Sequence, residues 1–586
     1  MTELIVKSFD IWTDAQGVKS KNRGKSVDNI SLEGITSLRG LILDLAIKGK
    51  LVAQNSSDES ASILLDKIAV EKTQLIKAGK IKKINSLPKI DKSKVPYKIP
   101  DNWAWSRLGN VCTKLTDGSH NPPRDIGQGL PMLSSQNIMN GKIDFENPSR
   151  YVSAMEFEIE DKRTQISPKD VLLTIVGTIG RSAVVPENAP KFVLQRSVAV
   201  LQSKLNPHFL AMQLVSPHCI LYFNTHGKGT AQKGIYLGKL GLMEIVIPPL
   251  EEQNRIVAKV NELMALCDKF EEEQFKNLKT HQVLVKTLLD TLTQASDVNE
   301  FQAVLDRMLR YFDILFCTED SIDQLKQTIL QLAVMGKLVK QNTDDESATE
   351  LLKKIQKEKE ELENEGKLKK QKLLPKIGED KKPFNIPSSW IWVPWGSILA
   401  YDNYPFKRGP FGSSLKKDMF IDSGYKVYEQ YCPINDDCSF ERYYISDELY
   451  EKLEGFAVKE NDYLISCSGA TLGRITQVPS NFKEGIINQA LLRVRINHKY
   501  VDKNFFKLLF RSPYFQKMIF DNSTGSAIPN VKGVNELKIM PVPFLSLDEQ
   551  QKIVREVEKI YSICDALKEN IIKSQNIKRL LSNVIV

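Results

Sequence analysis

The chain is written twice, and this constrains its fold more than any other feature. The stretch "LILDLAIKGKLVAQNSSDESASILLDKI" (41–68) matches "TILQLAVMGKLVKQNTDDESATELLKKI" (328–355). The match runs without a gap from Leu38/Leu325 to Val111/Ile398, with roughly half the positions identical. Its landmarks include Gly49/Gly336, Gly79/Gly366, Pro100/Pro387, Trp103/Trp390 and Trp105/Trp392. A second repeat pairs "IVIPPLEEQNRIVAKVNELMALCDKF" (245–270) with "MPVPFLSLDEQQKIVREVEKIYSICDAL" (540–567), so that Glu252-Gln253 matches Glu549-Gln550. The order is first repeat, block, second repeat, connector, then the same again. Fixed-period self-similarity of this kind means one architecture used more than once. The blocks, about 112–240 and 399–536, have diverged but keep a skeleton: "KDVLLTIVGTIGRSAVVP" (169–186) resembles "NDYLISCSGATLGRITQVP" (461–479).

The repeated parts read as helices and the blocks as mixed α/β. Apolar residues at 38–50 and 61–78 recur at helical spacing, with Gly49 and Gly79 as stops. From residue 251 to about 295, Ile256, Val260, Leu263, Cys267 and Phe270 step 4, 3, 4, 3, which is a coiled-coil seam. It resumes at His281, Val285, Leu288 and Leu292, and the C-terminal copy repeats it at Ile553, Val557, Ile560, Cys564, Leu567 and Ile571, then Leu581 and Ile585. Glu251 and Glu252 sit where a helix N-terminus favours acid. Within the blocks, runs such as "DVLLTIVG", "SVAVLQS" and "ALLRVRI" predict strands, and 207–223 and 502–520 predict one helix each. The lead-ins "PYKIPDNWAW" and "PFNIPSSWIW" predict tryptophans that anchor a core. The predicted divisions are 1–98 (arm and first repeat), 99–248 (first block), 249–382 (central helices), 383–543 (second block) and 544–586 (last helix).

Composition narrows the function classes. The net charge of +9 over 586 residues permits a polyanion partner without demanding one. No window approaches a spanning helix, and "MTELIVKSFDIW" lacks the pattern of a signal peptide. The 8 cysteines and 6 histidines are scattered without a C-x-x-C pair, which predicts reduced thiols, a cytoplasmic location and no zinc site.

One fragment of the chain suggests chemistry. "DGSHNPPR" (117–124) contains Asn121-Pro122-Pro123. In enzymes that methylate the adenine amino group, Asn-Pro-Pro followed by an aromatic holds the flipped base. Here Arg124 replaces the aromatic, block two has no counterpart, and no glycine-rich cofactor turn follows a strand. A self-contained adenine methyltransferase is therefore the alternative reading, and no catalytic residue is assigned. A binding reading fits better. Asp117, Ser119, His120, Asn121 and Arg124 lie in a turn-rich segment shortly after the Trp-x-Trp lead-in. "YPFKRGPFGSSLKK" (404–417) lies there in block two, with Lys407, Arg408, Ser413 and Ser414. Arg suits guanine edges and Asn or Gln suits adenine, and glycines let the backbone approach closely. Further candidates for DNA contact are Ser135, Gln136, Asn137, Gln195, Arg196, Gln232 and Lys233 in the first block, and Glu429, Gln430, Asn488, Gln489 and Lys532 in the second.

The chain closely resembles the specificity subunit of type I restriction–modification enzymes. "LRGLILDLAIKGKLV", "LLDKIAVEKTQLIKAGKIKK", "YKIPDNWAWSRLGNV", "IPPLEEQNRIVAKVNELMALCDKFE" and the N-terminal "WTDAQGVKSKNRGKS" carry the resemblance, which spans the whole chain and points to a branch with a long N-terminal arm. It implies an α+β protein in which two mixed α/β target recognition domains are joined by long antiparallel coiled-coil helices. It implies a non-catalytic reader of double-stranded DNA, each domain binding half of a split site. Two methyltransferase subunits and restriction (motor and nuclease) subunits would be its partners in phage defence. S-adenosylmethionine, ATP and magnesium would belong to them. The repeat order adds an expectation of its own. If the chain ends meet, they rebuild a copy of the centre, which gives a circular, pseudo-twofold arrangement.

Overall fold

The computed structural model describes residues 17–18, 30–81, 86–91, 93, 95–229, 233–342, 345–370, 372–467, 471–520 and 531–584. Most of the N-terminal arm, and Ile585, lie outside them. Contacts divide the chain into two units, Met1–Lys279 with Ser574–Val586, and Thr280–Lys573.

The first unit opens with helices α1 (Glu33–Ile47) and α2 (Ala61–Lys77). Both stop at the glycines expected from sequence, which adopt φ +68° at Gly49 and +66° at Gly79. The following amides, Lys50 and Lys80, each donate back to the carbonyls of Leu45 and Leu75 at 2.9 Å, closing the last turn. Strands β1 (Ala104–Arg107), β2 (Cys112–Asp117), β3 (Leu130–Leu133) and β4 (Arg150–Val152) precede helix α3 (Ala154–Thr164). Then come β5 (Val171–Thr174), β6 (Ser182–Val184), β7 (Val193–Leu194) and β8 (Val198–Ser203). Helices α4 (Pro207–Leu214) and α5 (Pro217–His226) and strand β9 (Glu244–Ile247) lead into the 45-residue helix α6 (Leu250–Gln294). One sheet has the antiparallel order β6-β5-β8-β2. A second, β7-β3-β4, pairs β7 and β3 in parallel, and β1 pairs with β9.

The second unit repeats this topology. It holds α7 (Val298–Arg310), α8 (Glu319–Val334) and α9 (Ala348–Asn364), then β10 (Ile391–Pro394), β11 (Phe406–Arg408), β12 (Tyr425–Tyr428) and β13 (Tyr444–Ile445). Strands β14 (Tyr463–Ser466), β15 (Ile475–Gln477), β16 (Gly485–Ile487) and β17 (Leu491–Val494) follow. Helices α10 (Lys503–Arg511) and α11 (Pro513–Phe520), strand β18 (Pro541–Phe544) and the 38-residue helix α12 (Leu547–Val584) end the chain. The sheets are β11-β17-β14-β15 and β13-β12-β16, with β10 paired to β18. The parallel pair is again the middle strand with the later one, β12 with β16.

Two expectations need correction. The single helices predicted over 207–223 and 502–520 are each two, broken before Pro217 and Pro513. The residue before a proline is pushed out of the helical region, and Ser216 and Ser512 instead cap the next helix through their hydroxyls. The seam is also covered differently. Ile256, Val260, Leu263 and Cys267 of α6 are buried against Leu38, Ile42 and Leu45 of α1, so the first repeat fills the near half of this seam. Arg39 clamps the pair through Asp268 (2.6 Å) and Glu271 (3.0 Å). In the second unit, Ile553, Val557 and Cys564 of α12 share a core with Ile322 and Ile329 of α8. In the far half of α6 the innermost residues are Val285, Leu289 and Leu292, with Leu288 only partly buried. Leu581, at the far end of α12, is exposed.

The repeat order shows in what each unit contains. Besides the start of one long helix, each unit takes the end of the other. In the second unit, Gln282 of α6 donates to Asp320 of α8 at 2.9 Å. In the first, the equivalent residue of α12, Arg579, stands 3.7 Å from Glu33 of α1. A second repeated feature ties the helices to the sheets. Trp103 Nε1 (2.9 Å) and Gln54 Nε2 (2.6 Å) both donate to the buried Glu252 carboxylate, and Arg255 pairs with Asp58 at 2.6 Å. Glu549 faces the equivalent Trp390 and Gln341, beside a Lys552–Asp345 pair at 3.0 Å. Burial raises the pKa of both glutamates, opposed by those same donors. The tryptophans are therefore core anchors, as expected, and Glu252 does more than complement a helix dipole.

Candidate nucleic-acid interface

In the first unit, three strand ends converge. β2 ends at Asp117, and the next residue must be glycine: a Cβ on Gly118 would lie 2.1 Å from the Leu194 carbonyl oxygen. The Ser119 amide donates to that carbonyl at 2.7 Å, and the Arg196 amide donates to Ser119 O at 2.8 Å. The Gln195 amide donates to Leu133 O at 2.9 Å, at the end of β3. Ser135 N donates to Ser197 Oγ at 3.0 Å, and Gly177 N to Lys233 O at 3.0 Å. The structure thus brings Ser119, Ser135, Gln195, Arg196 and Lys233 together from segments over 100 residues apart. His120, Asn121, Arg124, Gln136, Arg196 and Lys233 are exposed around this point.

Three of the first block's candidates have other work. Asp117 is buried and accepts from Arg163 Nη2 (2.5 Å) and from His120 Nε2 (2.9 Å). Asn137 is buried and knits its own loop, accepting from Ser134 N and donating to the carbonyls of Asn147 (2.7 Å) and Asp144 (3.3 Å). Ser119 is buried by its strand-like pairing with Gln195. These side chains hold the loops, and the exposed ones are what the loops present. Gln232 and the side chain of Ser413 lie outside the described residues.

The second unit builds the same frame with different chemistry. A Cβ on Gly409 would lie 1.9 Å from Asn488 O, and Asn488 N donates to Tyr428 O at 3.0 Å. Arg408 stands where Asp117 stands, since each pairs with the second residue of the central strand, Leu492 or Ala199. Its guanidinium lies 5.2 Å over the Phe411 ring, and the Lys407 ammonium lies 4.9 Å from Tyr404 and 4.8 Å from Phe456. These residues, with Lys372 and Lys538, line a groove of about 790 Å³. Asn488, Glu429 and Gln430 border a second cavity of about 250 Å³, and Gln430 Nε2 donates to Ala490 O at 3.4 Å. Gln489 and Ser414 are exposed, and Lys532 is half-buried beside Val531, whose amide donates to Cys467 O.

Behind this loop sits a buried charge cluster. Arg495 grips Asp462 with two bonds of 2.8 and 3.1 Å and reaches Asp402 at 3.0 Å. Arg493, wholly buried, donates to the carbonyls of Ala457, Tyr404 and Gly455. Burial pushes its pKa down to about 10, helped by the positive Arg495, while Asp462 opposes the shift. The first unit keeps the acid, Asp170, but pairs it with Lys114 at 2.7 Å. The sequence carries one sign of this cluster: two arginines at alternate positions of the apolar run "LLRVRI", a spacing that puts both on one face of a strand.

Among the described residues, no group of three or more His, Cys, Asp or Glu is placed to hold a metal ion, and no helix is long and apolar enough to cross a membrane. The Pro123 carbonyl, in the fragment that suggested a methyltransferase, is taken by Arg150 Nη1 at 2.7 Å.

The comparisons with known proteins agree. The family model described as type I restriction modification DNA specificity domain matches residues 100–280 and 411–575. The chain is 33% identical to the type I restriction enzyme EcoAI specificity subunit of Escherichia coli, over 97% of this chain and 95% of that one. It is 30% identical to the EcoEI specificity subunit of Escherichia coli, over 100% and 98%. A solved chain from work on complex assembly and conformational transition of the type I R-M system aligns over 84% of this chain and 98% of its own, at 18% identity and TM-score 0.45. With the family model matched in both blocks and relatives covered over nearly their full length, this chain belongs to the family of type I restriction–modification specificity subunits.

Proposed function

We propose that each unit reads one half of a bipartite site in double-stranded DNA, and that the chain is itself non-catalytic. One observation carries this: the same strand ends converge in both units, but the side chains presented there differ, His120, Asn121 and Arg124 in one and Lys407, Arg408 and Gln489 in the other. A fixed frame with exchanged surface residues is what separate recognition of two sequences requires, because base edges are told apart by the donors and acceptors set against them. The cationic groove at Lys407 and Arg408 suits phosphates as well as bases. On this reading, S-adenosylmethionine, ATP and magnesium belong to methyltransferase and restriction subunits in the cytoplasm.

The second repeat offers equivalent docking points for two methyltransferase subunits. Val283 and Leu284 on α6 are 59% and 48% exposed, and the matching residues on α12, Leu580 and Leu581, are 60% and 49% exposed. Large apolar side chains exposed at matched positions favour burial by a partner. Val283→Asp with Leu284→Asp should therefore remove one methyltransferase subunit from the reconstituted complex, and Leu580→Asp with Leu581→Asp the other, as read by native mass. Unchanged stoichiometry in both would contradict this docking. The purified chain alone should bind DNA with an affinity that falls steeply with salt and should not methylate it. Turnover without partners would favour the self-contained methyltransferase reading instead.

A further inference from the structure

The 250 Å³ cavity in the second unit holds a charge arrangement that the fold does not use. Glu429 is half-buried at its edge, just beyond the end of β12. Arg442 is exposed on the same cavity, its guanidinium 4.7 Å over the Tyr443 ring. Among the described residues, neither side chain makes a hydrogen bond or an ion pair. Burial raises the Glu429 pKa, and the nearby Arg442 charge only partly offsets this. A carboxylate taken partly out of water, as Glu429 is, is normally paired, and the exposed Arg442 guanidinium beside it keeps its donors open to a ligand. Tyr431 and Phe440 close one wall, their rings stacked at 4.1 Å. Asn488 also lines the cavity, and its carbonyl abuts Gly409, which follows Arg408 in the chain.

We infer that Arg442 and Glu429 are specificity-determining residues of the second unit, and that together they read a G·C base pair through its major-groove edge. Guanine presents two acceptors there, O6 and N7, which a guanidinium fork matches. Cytosine presents one donor, its N4 amino group, which a carboxylate accepts. Adenine–thymine offers no edge with that order of groups. A phosphate fits less well, because Glu429 would repel it at the distance where Arg442 would bind it. The inference rests on the half-site reading above and adds the residues and the base pair.

The test maps methylated motifs in cells carrying the full chain with its partner subunits, for wild type, Arg442→Ala, Arg442→Lys and Glu429→Gln. The wild-type motif should be split, with a fixed G·C pair in one half. Arg442→Ala should relax that position alone, losing roughly 5- to 150-fold discrimination. Arg442→Lys should relax it too, since lysine keeps the charge but loses the fork. Glu429→Gln should weaken the same position. An unchanged motif with uniformly weaker binding and a salt slope lowered by about 1 would make Arg442 a phosphate contact and overturn the assignment. So would relaxation in both halves. A wild-type motif that is not split would overturn the half-site reading itself, together with the assignment.

Discussion

Asp462→Ala should lower the stability of the second unit by about 3–5 kcal/mol, the usual cost of removing one partner from a buried charge cluster. Asp462 is 2% exposed, and two arginines depend on it. Arg495 would lose its two-point contact, and Arg493, which is 0% exposed, would keep only carbonyls for company. With that carboxylate gone, only Asp402, 3.0 Å from Arg495, is left to offset the two buried guanidiniums. Adding Arg495→Leu should recover part of the loss by removing one of those charges. Hydrogen exchange should rise in residues 391–545 and stay unchanged in residues 99–248, where Asp170 and Lys114 form their own pair. A loss under about 1 kcal/mol would mean that water enters the cluster. Because Arg493 also holds the Tyr404 carbonyl at 2.7 Å, the substitution should blur recognition by the loop that carries Lys407 and Arg408.

Gly409→Ala should displace that loop more selectively. The new methyl carbon would meet a backbone oxygen at 1.9 Å, and no rotamer change can relieve a clash with backbone. Overpacking usually costs 1–3 kcal/mol, and here the strain is best released by parting residues 409–414 from the turn at Asn488. The expected result is a chain that stays folded and loses one half-site. Gly118→Ala, with its clash at 2.1 Å, should do the same to the other half. Motif mapping reads both, with circular dichroism as the folding control. Full recognition in either variant would show that these close approaches do not shape the interface.

The sequence made the doubled scaffold legible because its landmarks have strict geometric roles. Gly49 and Gly336 take positive φ and also leave no room for a Cβ, which would lie 2.4 Å from Pro100 or Pro387. Trp103 and Trp390 anchor the helical repeat to the start of the long helix. Apolar spacing could not show the breaks before Pro217 and Pro513, since the period continues through both. Nor could it show what covers the seam: the same 4, 3 spacing serves a coiled-coil partner and a short helix such as α1. For the interface, the turn-rich segments were found, but their convergence depends on the parallel pairing of β7 with β3 and of β16 with β12. Polar turn residues such as Asp117 and Asn137 look alike whether they face water or tie a loop. Only the fold tells them apart. Arg442 was missed for a related reason. It lies in "ERYYI", where nothing marks it until Glu429 and Asn488 arrive beside it.

The most direct test of two independent readers on one scaffold is the methylated motif made by two loop variants of the full complex. His120→Ala with Asn121→Ala and Arg124→Ala should change only one half of a split motif. Lys407→Ala with Arg408→Ala should change only the other, at about 1–3 kcal/mol per lost base contact. Changes confined in this way would confirm one half-site per unit, and a variant that relaxes both halves would contradict it.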